Sequence, residues 1–351
     1  MLLISPEQYK KITVKKILVL IAFSLPIILN AQKSDVSPLF GDKTPLDIKL
    51  KVSFKDIKKK TNDSTYLPSV LQYKNTAGSW DSLKIGVRSR GIFRRENCYF
   101  TPLRLKIGKG DAKGNLFEGN KSLKLVLPCQ NNDGKNPLVL KEYICYKMYE
   151  IITPYYFNTR LVNIALAEVD GKKTKNAQLT GILIEDDDIV AKRHQAKVIE
   201  MKLHPRALAD TASLYHDIFQ FMIGNTDWST AFQHNAKLIF KEPRIYIPLT
   251  YDFDMSGFVD APYSVVSPEL GIANVRERLY RGFCRKEPVV QAVRQHFLKK
   301  EPEIMAIIDS FEKEFNPKDF KIMRKYIEDF YVIMKNDAKF NLAIVQGCRN
   351  Q

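Results

Sequence analysis

The two halves of this chain have different rhythms. Through the first, apolar residues alternate with polar ones, the period of a half-buried strand. Leu46, Ile48, Leu50, Val52 and Phe54 make one such run. Leu83, Ile85 and Val87 make another, and they lead into Arg88-Ser-Arg90-Gly91, a basic turn. Leu103, Leu105 and Ile107 repeat the pattern, as do Leu123, Leu125 and Leu127. Residues 161–169 and 179–184 predict a strand pair joined by Asp170-Gly171 and a lysine-rich turn. One helical stretch interrupts them, residues 138–152 (LVLKEYICYKMYEII), with Pro154 just beyond as a stop.

The second half is mostly helical in period. Asp210 is the expected N-cap of a helix through Leu214, Ile218, Phe219 and Met222 that ends at Gly224. Residues 236–240 and 244–250 predict two short strands. Residues 288–298, 304–315 and about 317–345 predict helices. No internal repeat is visible. A β-rich half followed by a mainly helical half predicts an α+β fold of two lobes with a cleft between them, a common place for a ligand.

The start of the chain is excluded from that fold. Lys10, Lys11, Lys15 and Lys16 precede an apolar run over residues 17–29, and Asn30-Ala31-Gln32 follows. This is the pattern of a secretory signal peptide over residues 1–31. The run is short for a membrane span and Pro26 interrupts it; an uncleaved anchor is the alternative. No later segment approaches the roughly 18 apolar residues of a membrane helix. Residues 32–44, polar and Pro-containing, are expected to be a linker. Residues 45–351 form the expected domain, divided near residue 190 into an N-terminal lobe (about 45–190) and a C-terminal lobe (191–351). The protein is expected to be exported: periplasmic, on the cell surface or secreted.

Composition adds limits. With 351 residues and 45% hydrophobic content, the chain can bury the core of one large or two small domains. A net charge of +16 allows nucleic acid, anionic surfaces or phosphorylated ligands as partners. Lys58-Lys59-Lys60 and Lys172-Lys173 read as turns and solvated faces, and no nucleic-acid motif accompanies them, so nucleic acid is not an expected partner. There are five Cys. Cys98 and Cys129 flank strands that would place them together if those strands are neighbours, which predicts a disulfide. Cys145 lies in the apolar helix and is expected to be a buried free thiol. No Cys/His spacing suggests zinc.

The chemistry concentrates in residues 224–257, GNTDWSTAFQHNAKLIFKEPRIYIPLTYDFDMSG. Asp227 follows the apolar helix. His234 and Asn235 follow it in turn, and two apolar runs lead to Asp252-Phe253-Asp254. If the strand continues, Asp252 and Asp254 share one face. Two carboxylates so close repel unless a proton or a cation lies between them. Carboxylates and an amide on a loop and a strand end suit Mg²⁺ held against phosphate. Taken singly, each of these residues has an ordinary explanation as a turn or surface group.

Asn225-x-Asp227, His234-Asn235 and Asp252-x-Asp254 together resemble the C-terminal half of the CotH (spore coat protein H) family of secreted atypical protein kinases. Arg90-Gly91, the strand in PLRLKI, the run 123–128 and Leu179-Thr-Gly-Ile-Leu-Ile-Glu185 resemble its earlier half. The chain departs from the family where Arg-Gly continues as Ile92-Phe93-Arg94-Arg95, and where residues 228–233 stretch the loop between Asp227 and His234. The resemblance implies a two-lobed, atypical-kinase-like fold that uses ATP with Mg²⁺ or Mn²⁺ and phosphorylates Ser or Thr of a protein substrate. It implies Asp227 as the catalytic carboxylate, Asn235 and Asp252 as metal ligands, and Asp254 as a second ligand or support. It implies a strand lysine, Lys106 or Lys124, on the phosphates, paired with Glu142 or Glu185. Arg88 and Arg90 would clamp phosphate through their fork geometry. A non-catalytic surface or adhesion module of pseudokinase kind is the main competitor. Metal-dependent phosphoester hydrolysis is less supported, because the five His form no HxH or HExxH pattern. A paired-carboxylate glycosidase would rest on Asp252 and Asp254 alone.

Overall fold

The computed structural model describes residues 36–91, 93–130 and 137–350. The expected signal peptide, residues 1–31, and the first residues of the expected linker lie outside the described residues. Ten strands are described: β1 (Leu46–Val52), β2 (Leu67–Lys74), β3 (Trp80–Ser89), β4 (Leu103–Ile107), β5 (Ser122–Val126), β6 (Thr159–Asp170), β7 (Lys173–Ile184), β8 (Lys197–Ile199), β9 (Ala236–Lys241) and β10 (Ile245–Thr250). The helices are α1 (Pro38–Gly41), α2 (Phe54–Lys60), α3 (Phe93–Asn97), α4 (Lys109–Ala112), α5 (Pro137–Ile152), α6 (Asp187–Arg193), α7 (Asp210–Ile223), α8 (Glu287–Asp309), α9 (Pro317–Lys335) and α10 (Asp337–Phe340).

The alternating runs of the first half become the wall of a closed barrel, in the order β1-β2-β3-β4-β5-β7-β6. Neighbours are antiparallel except at the seam, where β1 runs parallel to β6 from Leu46↔Val162 to Val52↔Glu168. Successive strand side chains point to opposite faces. Leu50, Leu71, Ile85, Leu105, Leu125 and Ile164 therefore fill the interior, and closure leaves no open sheet edge. Gly181 faces a crowded point of the β6–β7 ladder. A Cβ there would meet the Ile164 Cδ1 and the Val126 carbonyl oxygen at 2.8 Å. Within the expected linker, α1 packs Leu39 and Phe40 into the barrel core.

This architecture corrects the expected fold class. The chain is α+β, but it is a closed seven-stranded mixed barrel with helices, not a two-lobed kinase-like fold. Alternation identifies a strand with one buried face. It does not say whether the sheet stays open or closes on itself, and here the parallel β1–β6 pairing closes it.

The outer face of β5, β6 and β7 carries a second apolar surface, including Val126, Leu161, Ile182 and Ile184, which packs against α5. That helix is buried nearly all round. The long helices α7, α8 and α9 continue this second core through Phe219, Phe297 and Phe330. The small sheet β10-β9-β8 joins it through Ile239, Ile247 and Leu249.

Several local expectations shift. Phe54 opens α2 instead of extending β1, because Ser53 caps the helix by accepting from the Asp56 N–H at 3.2 Å. Asp210 is the first residue of α7, after Ala209 at the N-cap, and it pairs with Arg285 at 2.7 Å. Gly224 does end α7, in the left-handed conformation at φ 63°. The two helices expected over 288–315 are largely one: α8 runs through Pro302, where burial of Phe297, Ile304 and Ile308 overrides the proline penalty. Cys98 and Cys129 are disulfide-bonded as expected, at 2.09 Å. Cys284 and Cys348 form a second, unforeseen bridge, and Cys145 is a buried free thiol.

Candidate functional site

The β9–β10 ladder ends at the pair Ala236↔Thr250. One residue beyond on β9 stands Asn235, and two beyond on β10 stands Asp252. Both have left-handed backbones, φ 50° and φ 65°. Few non-glycine residues adopt that region, and Asn and Asp do so more readily than most, commonly in turns. The turn at Asp252 is held by its own N–H, which donates to the Tyr146 hydroxyl at 3.0 Å. Tyr251 N–H donates to the Asn235 carbonyl at 3.3 Å. The open end of one hairpin thus carries the two branches of the site.

The first branch is the loop from α7. Asn225 begins it, its side-chain oxygen accepting from the Asp227 N–H at 3.0 Å and its carbonyl from the Trp228 indole at 3.0 Å. The Asp227 carboxylate then accepts from Asn235 Nδ2 at 2.9 Å and pairs with His234 Nε2 at 2.8 Å. Asn235 Nδ2 also donates to the Asp227 carbonyl at 2.7 Å. Residues 228–233 are absorbed by a small closed loop in which Ser229 and His234 exchange backbone hydrogen bonds at 2.9 Å. The Asp227 side chain stays 39% exposed, open to a ligand from solvent. His234 is raised above its ordinary pKa, first by its hydrogen bond to Asp227 and then by that acid's charge.

The second branch is buried. Asp254 and Glu142, the latter from α5, share Arg94 of α3 between them, at 3.6 Å and 3.9 Å. The Tyr263 hydroxyl donates to Asp254 at 3.1 Å. Arg90 stands 3.9 Å from Asp252. Arg94 also donates to the Leu127 carbonyl, next to the end of β5. Burial, then the charge of Asp252, raises Asp254 to about 7. Glu142 is raised well above the carboxylate range by burial first and by Asp252 and Asp254 next. Arg94 Nε and Glu142 Oε1 are buried without a hydrogen-bond partner among the described residues.

A row of cations crosses the outer barrel wall. Arg88, Arg104 and Lys124 face one another across β3, β4 and β5. Lys124 is buried and binds Asp187 at 3.0 Å, with its ammonium 4.6 Å from the Phe157 ring centre. Burial lowers its pKa, against the pull of Asp187. Lys124 in turn holds the Asp187 carboxyl down at about 2, against the burial that would raise it. Arg104 pairs with Asp186, the N-cap of α6. The branches share one field: Asp252 acts on His234, on Glu142 and on Tyr251, and Tyr251 also feels Arg90, Arg104 and Asp187.

Of the sequence-derived site residues, Asp227, Asn235, Asp252, Asp254, Glu142, Arg90 and Lys124 are connected by these contacts and fields. Two stand apart. Lys106 is exposed on the outer wall, 5.5 Å from the Tyr66 ring centre. Glu185 is buried in a separate network with Arg193 at 2.8 Å and the Asn158 side chain at 3.1 Å. Glu142 pairs with Arg94 where a lysine was expected. β10 stops at Thr250, so Asp252 and Asp254 do not continue the strand; a left-handed turn at Asp252 separates them from it, and the Asp252 charge still acts on Asp254. Sequence reasoning missed Arg94, Arg104 and Asp187 as members. Arg104 was legible from its place between Leu103 and Leu105, which puts it on the outer face with Lys106. Asp186-Asp187-Asp188 before Ile189-Val190 was legible as an acidic helix start.

No protein-family model matches the chain, and no curated protein matches it. Among the described residues no group of three or more His, Cys, Asp or Glu is placed to hold a metal ion. The facing Asp252 and Asp254 still suit a smaller requirement: Mg²⁺ is ordinarily bound by one or two carboxylates, with water and substrate phosphates completing its shell. Their mutual repulsion is what such an ion would relieve.

Proposed function

We propose that this chain is an exported phosphotransferase of the CotH-like kind, transferring phosphate from ATP with Mg²⁺ or Mn²⁺ to Ser or Thr of a secreted or envelope protein. The observation that carries the proposal is the pairing of two unlike acid groups in one field. Asp227 is half-exposed and held by His234 and Asn235, while Asp252 and Asp254 face each other beside Arg90. A carboxylate open to solvent and hydrogen-bonded in place is suited to orient an acceptor hydroxyl and take its proton. Asp252, Asp254 and the amide oxygen of Asn235 would hold the metal ion, since Asn235 spends its NH₂ group on Asp227. When bound, that ion would neutralise phosphate charge during transfer. Arg90, Lys124 and Arg104 supply further positive charge, so the acceptor oxygen can bond to phosphorus as the bond to the departing ADP oxygen breaks. The two disulfides support an oxidising compartment. Among the described residues no helix is long and apolar enough to cross a membrane.

The test is incorporation of label from ATP with Mg²⁺ or Mn²⁺, on the protein itself and on envelope extracts. Wild type should be labelled, with Asp227→Ala and Asp252→Ala reduced at least a hundredfold. Equal labelling of all three, or no label together with no nucleotide binding, overturns the proposal.

One observation favours a second reading, a non-catalytic binding module. Arg94 already sits between Glu142 and Asp254, so the acid cluster has a cation of its own. Under that reading Mg-ATP would not raise the melting temperature, and Asp227→Ala would leave partner binding intact.

A further inference from the structure

α5 has two working faces. Glu142 and Tyr146 turn to the acid cluster. Leu140, Tyr143, Lys147 and Ile151 turn away from it and line a cavity of about 720 Å³. The opposite walls are Leu161 and Thr180 of the barrel and Ile307 and Phe311 around the end of α8. The volume lies in the range of small-molecule sites, roughly 300–1,000 Å³. A mostly apolar lining with a few convergent polar groups is the usual make-up of such sites.

The polar groups are placed at one end. Lys147, only 8% exposed, donates to Glu150 at 2.7 Å and to the Thr159 carbonyl at 3.4 Å. An ammonium has three donors, and among the described residues Lys147 uses two of them in hydrogen bonds. Lys43 reaches the same Glu150 carboxylate from the surface at 3.0 Å. Two cations share one acid there, and Glu314 lies exposed on the rim. Tyr143 is fixed edge-on against Phe311, with ring centres 6.0 Å apart. Its ring also lies 5.2 Å from the Lys147 ammonium. A buried charge beside apolar walls is a costly arrangement for packing alone.

We propose that this cavity is a second binding site, for a small amphipathic anion. Its aliphatic or aromatic body lies on Tyr143, Leu161, Ile307 and Phe311, and its carboxylate or comparable acidic head meets Lys147 and Lys43. The site is independent of the phosphotransfer proposal, because it shares no residue with the acid cluster.

The test uses anilinonaphthalene sulfonate, an aromatic body with an anionic head, titrated into the folded protein and followed by fluorescence. Wild type should bind at one saturable site. Ser310→Trp, an exposed position on the cavity wall, should weaken binding at least tenfold, and Lys147→Met severalfold. Both variants should keep the wild-type circular dichroism and a cooperative melt. Phe232→Ala removes an apolar side chain 70% exposed elsewhere and should change nothing. Laurate should displace the dye better than dodecanol. Absence of saturable binding, equal affinity in wild type and Ser310→Trp, or loss in Phe232→Ala would overturn the site. Equal displacement by laurate and dodecanol, or no effect of Lys147→Met, would overturn its acidic head.

Discussion

Asp227 and Asp254 are both acids of one charged region, and the fold treats them in opposite ways. Asp227 keeps contact with water and is satisfied by direct partners, His234 and Asn235, at 2.8 and 2.9 Å. Asp254 is 4% exposed, feels Asp252 and Glu142 beside it, and leans on Arg94. Water screens the first and leaves little to be gained or lost by its neighbours. The second lies where desolvation is expensive and every charge is felt. The exposed acid is therefore suited to act on a ligand. The buried acids store a charge imbalance that a proton, Arg94 or a bound cation must offset.

The largest effect expected from that contrast is at Arg94. Arg94→Met removes the guanidinium from between Glu142 and Asp254 and, above about pH 7 where Asp254 is ionised, leaves a buried charge without its cation. Breaking a buried pair in this way costs about 3–5 kcal/mol. Urea unfolding should show a lowered midpoint with an unchanged slope. Arg94→Met combined with Glu142→Gln should recover part of the loss. A change below about 1 kcal/mol, the size of a surface pair, would mean that the cluster is no more strained than Asp227.

A graded effect, of comparable order, is expected with pH. Asp254 titrates at about 7 in the fold, against an ordinary value of 3.8. Between these values the folded chain holds a proton that the unfolded chain has released, so stability falls as pH rises through that window. Glu142 is shifted the same way and adds to the slope. His234, raised in the fold, stabilises below its ordinary 6.5 and loses that contribution as pH rises through its folded pKa, again in the same direction. Melting temperatures should therefore decline from about pH 4 to about pH 7, and Asp254→Asn should flatten the decline. If Mg²⁺ or Mn²⁺ binds the Asp252–Asp254 pair, adding it near pH 8 should restore part of the loss.

The same contrast explains what was legible in the sequence. Asp227, Asn235 and Asp252 can be found from residue type and spacing, because a polar group next to an apolar run in a loop is visible along the chain. The barrel strands were visible too, because Leu103, Leu105 and Ile107 declare which face is buried. Closure was not visible, since it depends on β1 meeting β6, and nothing in either run names its partner. β2 was hidden because only Leu71 and Tyr73 of it are buried. Arg94 was invisible for a deeper reason. Its sequence neighbours Arg95 and Glu96 make it look like a surface residue, and only the fold buries it. Lys106 and Lys124 are alike in sequence, each between apolar strand residues. What separates them is that α6 brings Asp187 to Lys124, while Lys106 faces solvent.

The smallest effect on stability is expected at His234. Its side chain is 56% exposed and Asp227's is 39% exposed, so their 2.8 Å pair is screened by water. His234→Ala should cost about 0.5 kcal/mol or less. If the proposed phosphotransfer holds, its effect on that activity should be larger than that figure suggests, because the imidazole is one of two groups holding the Asp227 carboxylate. Asn235 keeps the other oxygen in place, so label incorporation should fall by about tenfold, against near-complete loss in Asp227→Ala. His234→Gln, which can still donate to the carboxylate, should recover much of the rate, and His234→Leu should not. If Gln and Leu behave alike, His234 does not orient Asp227. If instead His234→Ala destabilises the fold as much as Arg94→Met, the division between an exposed, water-screened acid and a buried, charge-strained cluster fails.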